Sequence, residues 1–173
     1  MPVKIPREIQ EFLSGKVGWV ATAARDGTPN VSLKGSLRLL DDEHLVFADI
    51  NSLKTRKNLT ENPKVAVMVY DSASRRAYLF KGTVELASMG PLYEGMAQGM
   101  KQRMPDRPAP KYVVKVNVEA VFDQSGGPSG GTQIAEGGAA CPSGQRAPGV
   151  QRGRPRSACA GTISSPSTCS GWG

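Results

Sequence analysis

The chain has 173 residues, 39% of them hydrophobic, and a formal net charge of +7, which suits one domain with a real core and is too short for two comfortable ones. No run approaches the roughly 20 apolar residues that cross a bilayer, and the N-terminus lacks the apolar region of a secretory signal, so we expect a cytoplasmic protein without a membrane partner. Aromatic residues make up only 6% and are not interleaved with a Lys/Arg cluster, which argues against nucleic-acid binding.

The apolar residues are unevenly distributed along the chain. Alternating Val, Leu and Ala runs continue to about Asp123, and the later sequence is dominated by Gly, Ser, Pro, Ala and Arg. Such a composition cannot bury enough apolar surface to offset chain entropy. We therefore predict a folded domain over residues 1–135 and a disordered tail over residues 136–173. The three cysteines all lie in this tail, at spacings that match no metal or redox motif: Cys141, Cys159 and Cys169.

The first half of the folded domain is predicted to contain one helix and three strands. Pro6 begins the helix and Gly15 caps its C-terminal end. The dipeptide Asp26-Gly27 has the chemistry of a hairpin turn. Because tight turns separate the strands, we expect them to pair in sequence as a meander. Their predicted ranges are Val17–Ala23, Asn30–Leu40 and Leu45–Asp49.

The second half is predicted to contain two more helices and three more strands. Ser52 is a plausible N-cap for the first of these helices, and Asn62-Pro63 ends it. The next strand is apolar throughout and is expected to be buried on both faces, whereas Gly82 marks a bulge or a close backbone approach in the strand after it. The predicted helices are Leu53–Glu61 and Gly90–Met104, and the predicted strands are Val65–Tyr70, Ala77–Leu86 and Lys111–Phe122.

Together these elements predict a mainly β protein with short helices. Six antiparallel strands joined mostly by tight turns favour a closed or partly closed barrel. Leu92, Met96 and Met100 recur every four residues, so they share one face of the last helix, a pattern more typical of core packing than of a cofactor site.

The segment from Ala48 to Pro63 is the most informative for function, because it places a strand end, a loop and a helix start in succession. A helix N-terminus offers unpaired N–H groups and the positive end of its dipole, which suit a phosphate. Lys54 adds a charge and Thr55 a short hydroxyl donor. The alternative is a basic helix whose charges only keep the protein soluble.

The segment from Ser52 to Val65 resembles the phosphate-binding segment of the pyridoxamine 5'-phosphate oxidase-like flavoproteins, which are six-stranded antiparallel split β-barrels that bind FMN. Gly18–Ala23 with Asp26–Pro29 resembles the first hairpin of that family. Phe80–Glu85 resembles its later strand with an internal glycine. The similarity extends from about Ile5 to Phe122 in the order and spacing of the family, although no single motif in it is as specific as a paired metal-ligand signature.

The resemblance implies an FMN site and a homodimer, because family members bind FMN at a dimer interface. It implies that Lys54 and Thr55 hold the FMN phosphate, with Lys34 and Arg38 as alternatives for a second phosphate cation. Arg76 would reach a cofactor held mainly by the other subunit. The second strand would run beside the isoalloxazine edge, and the end of the third would line the ribityl chain; these cofactor-binding residues are Val31, Ser32, Leu33, Lys34, Ala48 and Asp49.

The sequence departs from true pyridoxamine phosphate oxidases, because the C-terminal Arg and His groups that hold the substrate phosphate have no counterpart after Phe122. The sole histidine, His44, lies in a predicted turn and is interpreted as a solvated surface residue. No nucleophile set or metal-ligand motif is present in the folded part, so no catalytic residue is assigned. Lys34 is the candidate to stabilise a reduced flavin.

Two function classes follow from these expectations. The first is a small FMN-dependent oxidoreductase or electron-transfer protein with a small-molecule electron donor or acceptor. The alternative is a module that binds or senses a flavin, a deazaflavin or haem without turnover.

Overall fold

The computed structural model describes residues 1–136, so the predicted tail beyond Glu136 lies outside the described residues. Helices begin and end close to where the capping and proline signals place them, and Gly15, with a φ of 70°, ends α1 in the left-handed region that favours glycine. None of the helices in residues 1–136 is long and apolar enough to cross a membrane. The elements are α1 (Arg7–Leu13), β1 (Gly18–Ala23), β2 (Pro29–Lys34), β3 (Arg38–Leu39), β4 (His44–Asp49), α2 (Leu53–Glu61), β5 (Lys64–Asp71), β6 (Arg76–Ala87), α3 (Pro91–Arg103), β7 (Tyr112–Asp123) and β8 (Gln133–Glu136).

The strands form one antiparallel sheet in the order β2-β1-β5-β6-β7-β4-β3, with β8 paired to the second half of β7. The predicted split-barrel class is confirmed, but residues 1–136 contain eight strands rather than six. The predicted strand Asn30–Leu40 is interrupted between Lys34 and Arg38, and β8 forms in a segment whose composition indicated no strand. Glu136, assigned to the tail from the sequence, is the last residue of β8.

The predicted meander is confirmed only in part. β1 pairs with β2, and β3, the end of the predicted second strand, pairs with β4. The second strand is divided, however, so β4 lies between β3 and β7 and does not pair with β2. β2 and β3 stand at opposite ends of the strand order, yet only residues 35–37 join them. Seven strands laid flat would span about 29 Å, whereas four residue steps reach at most about 15 Å. The sheet must therefore curl until its two edges approach each other. Ser36 fixes this corner: its hydroxyl accepts a hydrogen bond from the Ala48 amide at 2.9 Å.

Two apolar clusters hold the sheet in this shape. The larger one fills the interior of the curl and includes Phe47, Phe80 and Val116. In the smaller one, Met96 and Met100 of α3 pack on the outer face of β4 and β7, which confirms the predicted core role of that helix face. β4 is consequently the strand that is buried on both faces.

The prediction that β5 is buried on both faces is wrong. Val65, Val67 and Val69 point into the core, whereas Met68 and Tyr70 are exposed. The two strands differ in what packs against their outer faces. α3 covers the outer face of β4 and β7, whereas no helix of residues 1–136 lies over the outer face of β5. Sequence apolarity alone does not distinguish these two situations.

Gly82 marks both a bulge and a close backbone approach, as predicted. The register between β6 and β7 shifts between Lys81 and Gly82. A Cβ at residue 82 would overlap the carbonyl oxygen of Asn117 and lie 3.3 Å from the Cα of Val118. Only glycine fits there without moving a central strand.

We expect Gly82→Ala to lower the free energy of unfolding by about 1–3 kcal/mol, because the added methyl group must push β7 away. Gly126→Ala is the matched control, since nothing lies within 4 Å of its Cβ position. Urea unfolding of both apo variants measures the difference. Equal free energies of unfolding for the two variants would show that β7 accommodates the methyl group without loss of stability.

Candidate functional site

The N-terminal end of α2 is held beside β1 and β2 by neutral polar side chains. The Asn58 amide donates to the Thr22 hydroxyl at 3.1 Å. The Asn30 amide donates to the Thr55 hydroxyl at 3.1 Å, and that hydroxyl donates to the Ser32 hydroxyl at 3.0 Å. Thr22, Thr55 and Asn58 are buried, so these hydrogen bonds satisfy groups that would otherwise be costly to bury.

Asp49 is the acidic centre of a buried ionic cluster and is only 2% exposed. Its Oδ2 accepts a hydrogen bond from Arg56 Nε at 2.8 Å, and its Oδ1 accepts one from the Ser52 amide at 3.0 Å. Arg56 Nη2 also lies 2.8 Å from Oδ2, but it is misaligned for a hydrogen bond and has no partner in the described residues. The guanidinium of Arg56 stands 5.3 Å from the centre of the Tyr112 ring. Asp49 therefore links the end of β4 to the start of α2.

Lys34 completes this cluster at the end of β2. Its ammonium donates to the Ser52 hydroxyl and lies 3.9 Å from Asp49 Oδ1, with the Phe47 ring centre 5.6 Å away. Burial lowers the pKa of Lys34, and the opposite charge of Asp49 works against that shift. An ammonium has three N–H donors, and Ser52 accepts only one of them.

Ser52 occupies the N-cap position of α2, as predicted, but its side chain makes no capping hydrogen bond. The hydroxyl accepts from Lys34 instead. Within residues 1–136, the amides of Leu53, Lys54 and Thr55 have no hydrogen-bond acceptor. The first turn of α2 therefore presents open N–H groups with no acidic residue among them.

Two cavities meet at Asn51 and Ser52. The smaller has a volume of about 340 Å³ and lies over the first turn of α2. The larger has a volume of about 470 Å³ and is lined by both polar and apolar groups. The smaller cavity is also lined by Asn30, Ser32, Leu53, Lys54 and Thr55. The larger is also lined by Leu33, Lys34, Gly35, Ser36, Ala48, Ile50, Met100, Met104, Arg107 and Pro108.

Six of the eight predicted cofactor-binding residues line one of these cavities. Val31 lies on β2, but its side chain is exposed and lines neither cavity. Asp49 is enclosed in the ionic cluster and also lines neither. The residues that line the larger cavity are Leu33, Lys34 and Ala48, and those that line the smaller are Ser32, Lys54 and Thr55.

Three other basic residues singled out from the sequence lie elsewhere. Arg38 belongs to β3, which the break at residues 35–37 separates from Lys34 at the end of β2, and it lines neither cavity. Arg76 pairs with Glu8 at 2.6 Å and with the hydroxyl of Tyr78. His44 is not a solvated turn residue, because it begins β4 and its Nδ1 lies 2.7 Å from Asp41 Oδ1.

Sequence reasoning missed several residues of the site. Asn30 was interpreted only as the start of a strand. Its position opposite Thr22 in the hairpin register could have indicated that its side chain lies beside the polar groups that hold α2. Met104 and Arg107 follow α3 and line the larger cavity. Their contribution depends on how α3 packs over β4, and nothing local in the sequence indicates that.

The comparisons with known proteins agree with this architecture. A model of the pyridoxamine 5'-phosphate oxidase family matches residues 5–125. The uncharacterized protein MJ0282 of Methanocaldococcus jannaschii is 32% identical over 136 residues, which cover 78% of this chain and 90% of that protein. The crystal structure of HupZ from Group A Streptococcus is similar with a TM-score of 0.65 and 30% identity, covering 73% of this chain and 99% of HupZ.

More distant structures share the fold at lower identity, and their names refer to different ligands. An F420 reductase is 24% identical with a TM-score of 0.55, covering 68% of this chain and 98% of its own. An FMN-binding protein of Syntrophomonas wolfei is 18% identical with a TM-score of 0.54, and the match covers 69% of this chain and 83% of that protein. HutZ, the heme storage protein of Vibrio cholerae, is 18% identical with a TM-score of 0.55, and the match covers 71% of this chain and 97% of HutZ. With most of its length matched in sequence and in fold, this chain belongs to the pyridoxamine 5'-phosphate oxidase family.

Proposed function

We propose that this protein binds FMN across the two adjoining cavities and acts as a small flavin-dependent oxidoreductase or electron-transfer protein. The observation that carries the proposal is the cation-bearing helix start beside a larger, partly apolar cavity, joined at Asn51 and Ser52. FMN has the same division, with a dianionic phosphate at one end and a flat, mostly apolar ring at the other. When bound, it would supply the electron-transfer chemistry, and the protein would orient it.

The smaller cavity fits the phosphate. Open amides at the first turn of α2 and the positive end of its dipole attract an anion. Lys54 is exposed and lines this cavity, so its ammonium is available for pairing. The hydroxyl of Thr55 already donates its proton to Ser32. It would have to turn to donate to a phosphate, so Lys54 and the amides are the principal phosphate ligands in this proposal.

The larger cavity fits the ring. Its volume of about 470 Å³ falls within the usual range of small-molecule sites, about 300–1,000 Å³. Leu33, Ala48 and Met100 supply apolar contacts. Lys34 supplies an ammonium with unused donors that can hydrogen-bond a carbonyl oxygen and stabilise negative charge on a reduced cofactor.

The second candidate function is a module that binds a flavin, a deazaflavin or haem without turnover. The heme storage protein HutZ shares the fold, and its name denotes ligand binding rather than a reaction, which supports this alternative. Haem is disfavoured here because the chain has a single histidine, and His44 lines neither cavity. The absorbance spectrum of the purified protein, with the released cofactor identified by mass, separates these ligands. Bleaching of a bound flavin by a reduced nicotinamide supports turnover, and a colourless protein that takes up no FMN contradicts the proposal.

We also propose that the protein is a homodimer. Leu33, Trp19 and Met68 stand side by side on three neighbouring strands and are 59%, 39% and 38% exposed. A row of exposed apolar side chains across a sheet is typical of an interface. Leu33 also lines the larger cavity, so a second copy covering this row would enclose the ring end of the site.

Met68→Glu should convert the dimer to a monomer, because it places a charge in the apolar row. Met89→Glu is the matched control, since Met89 is exposed and lies in the connection before α3. Light scattering gives the mass of each variant. A wild-type protein that is monomeric with FMN fully bound would refute the dimer proposal.

Lys54→Ala should weaken FMN binding by about 1.5–3 kcal/mol, which is about 10- to 150-fold in affinity, because it removes a charge-assisted contact. The stability of the apo-protein should change little, since Lys54 is exposed. Lys57→Ala removes a charge from the same helix outside both cavities and serves as the control. Titration of apo-protein with FMN, followed by flavin fluorescence, measures both. If both variants weaken FMN binding equally, or if Lys54→Ala does not weaken it, the basic residues of α2 serve only to keep the protein soluble.

Lys34→Gln should shift the two-electron potential of bound FMN to more negative values by about 30 mV or more, equivalent to about 1.4 kcal/mol. The physical reason is the loss of a buried positive charge beside the reduced cofactor. Lys57→Gln provides the surface control. Spectroelectrochemistry with reference dyes measures the potentials, and an unchanged potential for Lys34→Gln would remove Lys34 from this role.

A further inference from the structure

Two arginines converge on one point of α3, away from the helix start that holds Lys54. Nη1 of Arg38 and Nη2 of Arg103 each lie 3.9 Å from the position that a Cβ of Gly99 would occupy. Arg38 comes from β3 and Arg103 from the last turn of α3. Residue 99 is a glycine, so no side chain of its own occupies this point.

Neither arginine is neutralised within residues 1–136. Arg38 makes no side-chain hydrogen bond and no ion pair there, and Arg103 only donates from Nε to the carbonyl oxygen of Gly99 at 3.1 Å. Burial, and after it the charge of Arg103, lowers the pKa of Arg38. Like charges repel each other, and an anion bound by both groups would offset that repulsion.

We propose that Arg38 and Arg103 form a binding site for an oxyanion, the phosphate or carboxylate group of a ligand distinct from FMN. Guanidinium groups present planar forks of donors that match such anions bidentately. Two of them from different elements enclose an anion from two sides.

The site adjoins the larger cavity without belonging to it. Gly99 and Arg103 immediately precede Met100 and Met104, which line that cavity, and Arg38 follows the cavity residue Ser36 by two positions. Neither arginine lines it or the smaller cavity. The proposal therefore does not depend on FMN binding, and the anionic ligand reaches the protein from the α3 side.

The first test titrates the apo-protein with inorganic phosphate, and separately with acetate, at constant ionic strength. The side-chain Nε–H resonances of Arg38 and Arg103 are followed by NMR. We expect saturable shifts of both. Stronger binding of phosphate assigns the natural anion to a phosphate, and equal or stronger binding of acetate assigns it to a carboxylate. Arg38→Gln and Arg103→Gln should each weaken binding by about 10-fold or more.

The controls distinguish this site from a general effect of charge and from the α2 site. Lys101→Gln removes an exposed charge from the same helix and should leave the affinity unchanged. Lys54→Ala should also leave the arginine shifts unchanged. The proposal is overturned if the shifts do not saturate, if Lys101→Gln weakens binding as much as Arg103→Gln, or if Lys54→Ala abolishes the shifts.

A second variant pair supplies the anion from within the chain. Gly99→Glu adds a carboxylate within reach of both guanidinium groups, whereas Gly99→Gln adds nearly the same volume and helix propensity without charge. Gly99→Glu should melt about 2 °C or more above Gly99→Gln in phosphate-free buffer, and phosphate should no longer shift the arginine resonances. Equal melting temperatures with intact phosphate binding would overturn the proposed geometry.

Discussion

The candidate site depends on the buried carboxylate of Asp49. A carboxylate taken out of water is costly unless it is paired and hydrogen-bonded, and here Arg56, Lys34 and the Ser52 amide share that task. Lys34 lies at the end of β2, Ser52 precedes α2 directly, and Arg56 lies in α2 itself. By satisfying one charge, the chain brings together the segments that line both cavities. Asp49 therefore acts on the site by positioning its neighbours, although it lines neither cavity.

The curl of the sheet is the second constraint, and it depends on residues 35–37. These residues join the two strands at opposite ends of the sheet, so the end of β2 is brought next to β4. Ser36 secures this arrangement by pairing with the backbone of Ala48 where a regular strand partner is absent. Lys34 thus reaches Ser52 and Asp49 across the corner.

Local signals in the sequence were sufficient for the three helices, for most of the strands and for the family, but not for the break between β2 and β3 or for β8. Proline, glycine and capping residues delimit the helices, and alternation delimits most strands, because these are properties of a few neighbouring residues. Pairing partners that are distant in sequence were not accessible in the same way. The pairings of β1 with β2 and of β3 with β4 follow from the predicted meander, but no local signal indicates that β4 pairs with β7 some 70 residues later. Lys54 and Thr55 could be predicted because a helix start is a local feature. The placement of Asp49, Met104 and Arg107 could not, because it follows from how distant segments pack.

The hydrogen bonds that anchor α2 to β1 and β2 have a consequence for how the site responds to its surroundings. Thr22, Asn30, Ser32, Thr55 and Asn58 are all uncharged. Their hydrogen bonds do not titrate over the physiological range and are not screened by salt, whereas the attraction of exposed Lys54 for an anion weakens as ionic strength rises. Added salt would thus reduce the affinity for a phosphate ligand while leaving the geometry of the helix start intact. High salt would therefore weaken the proposed phosphate contact without unfolding the domain.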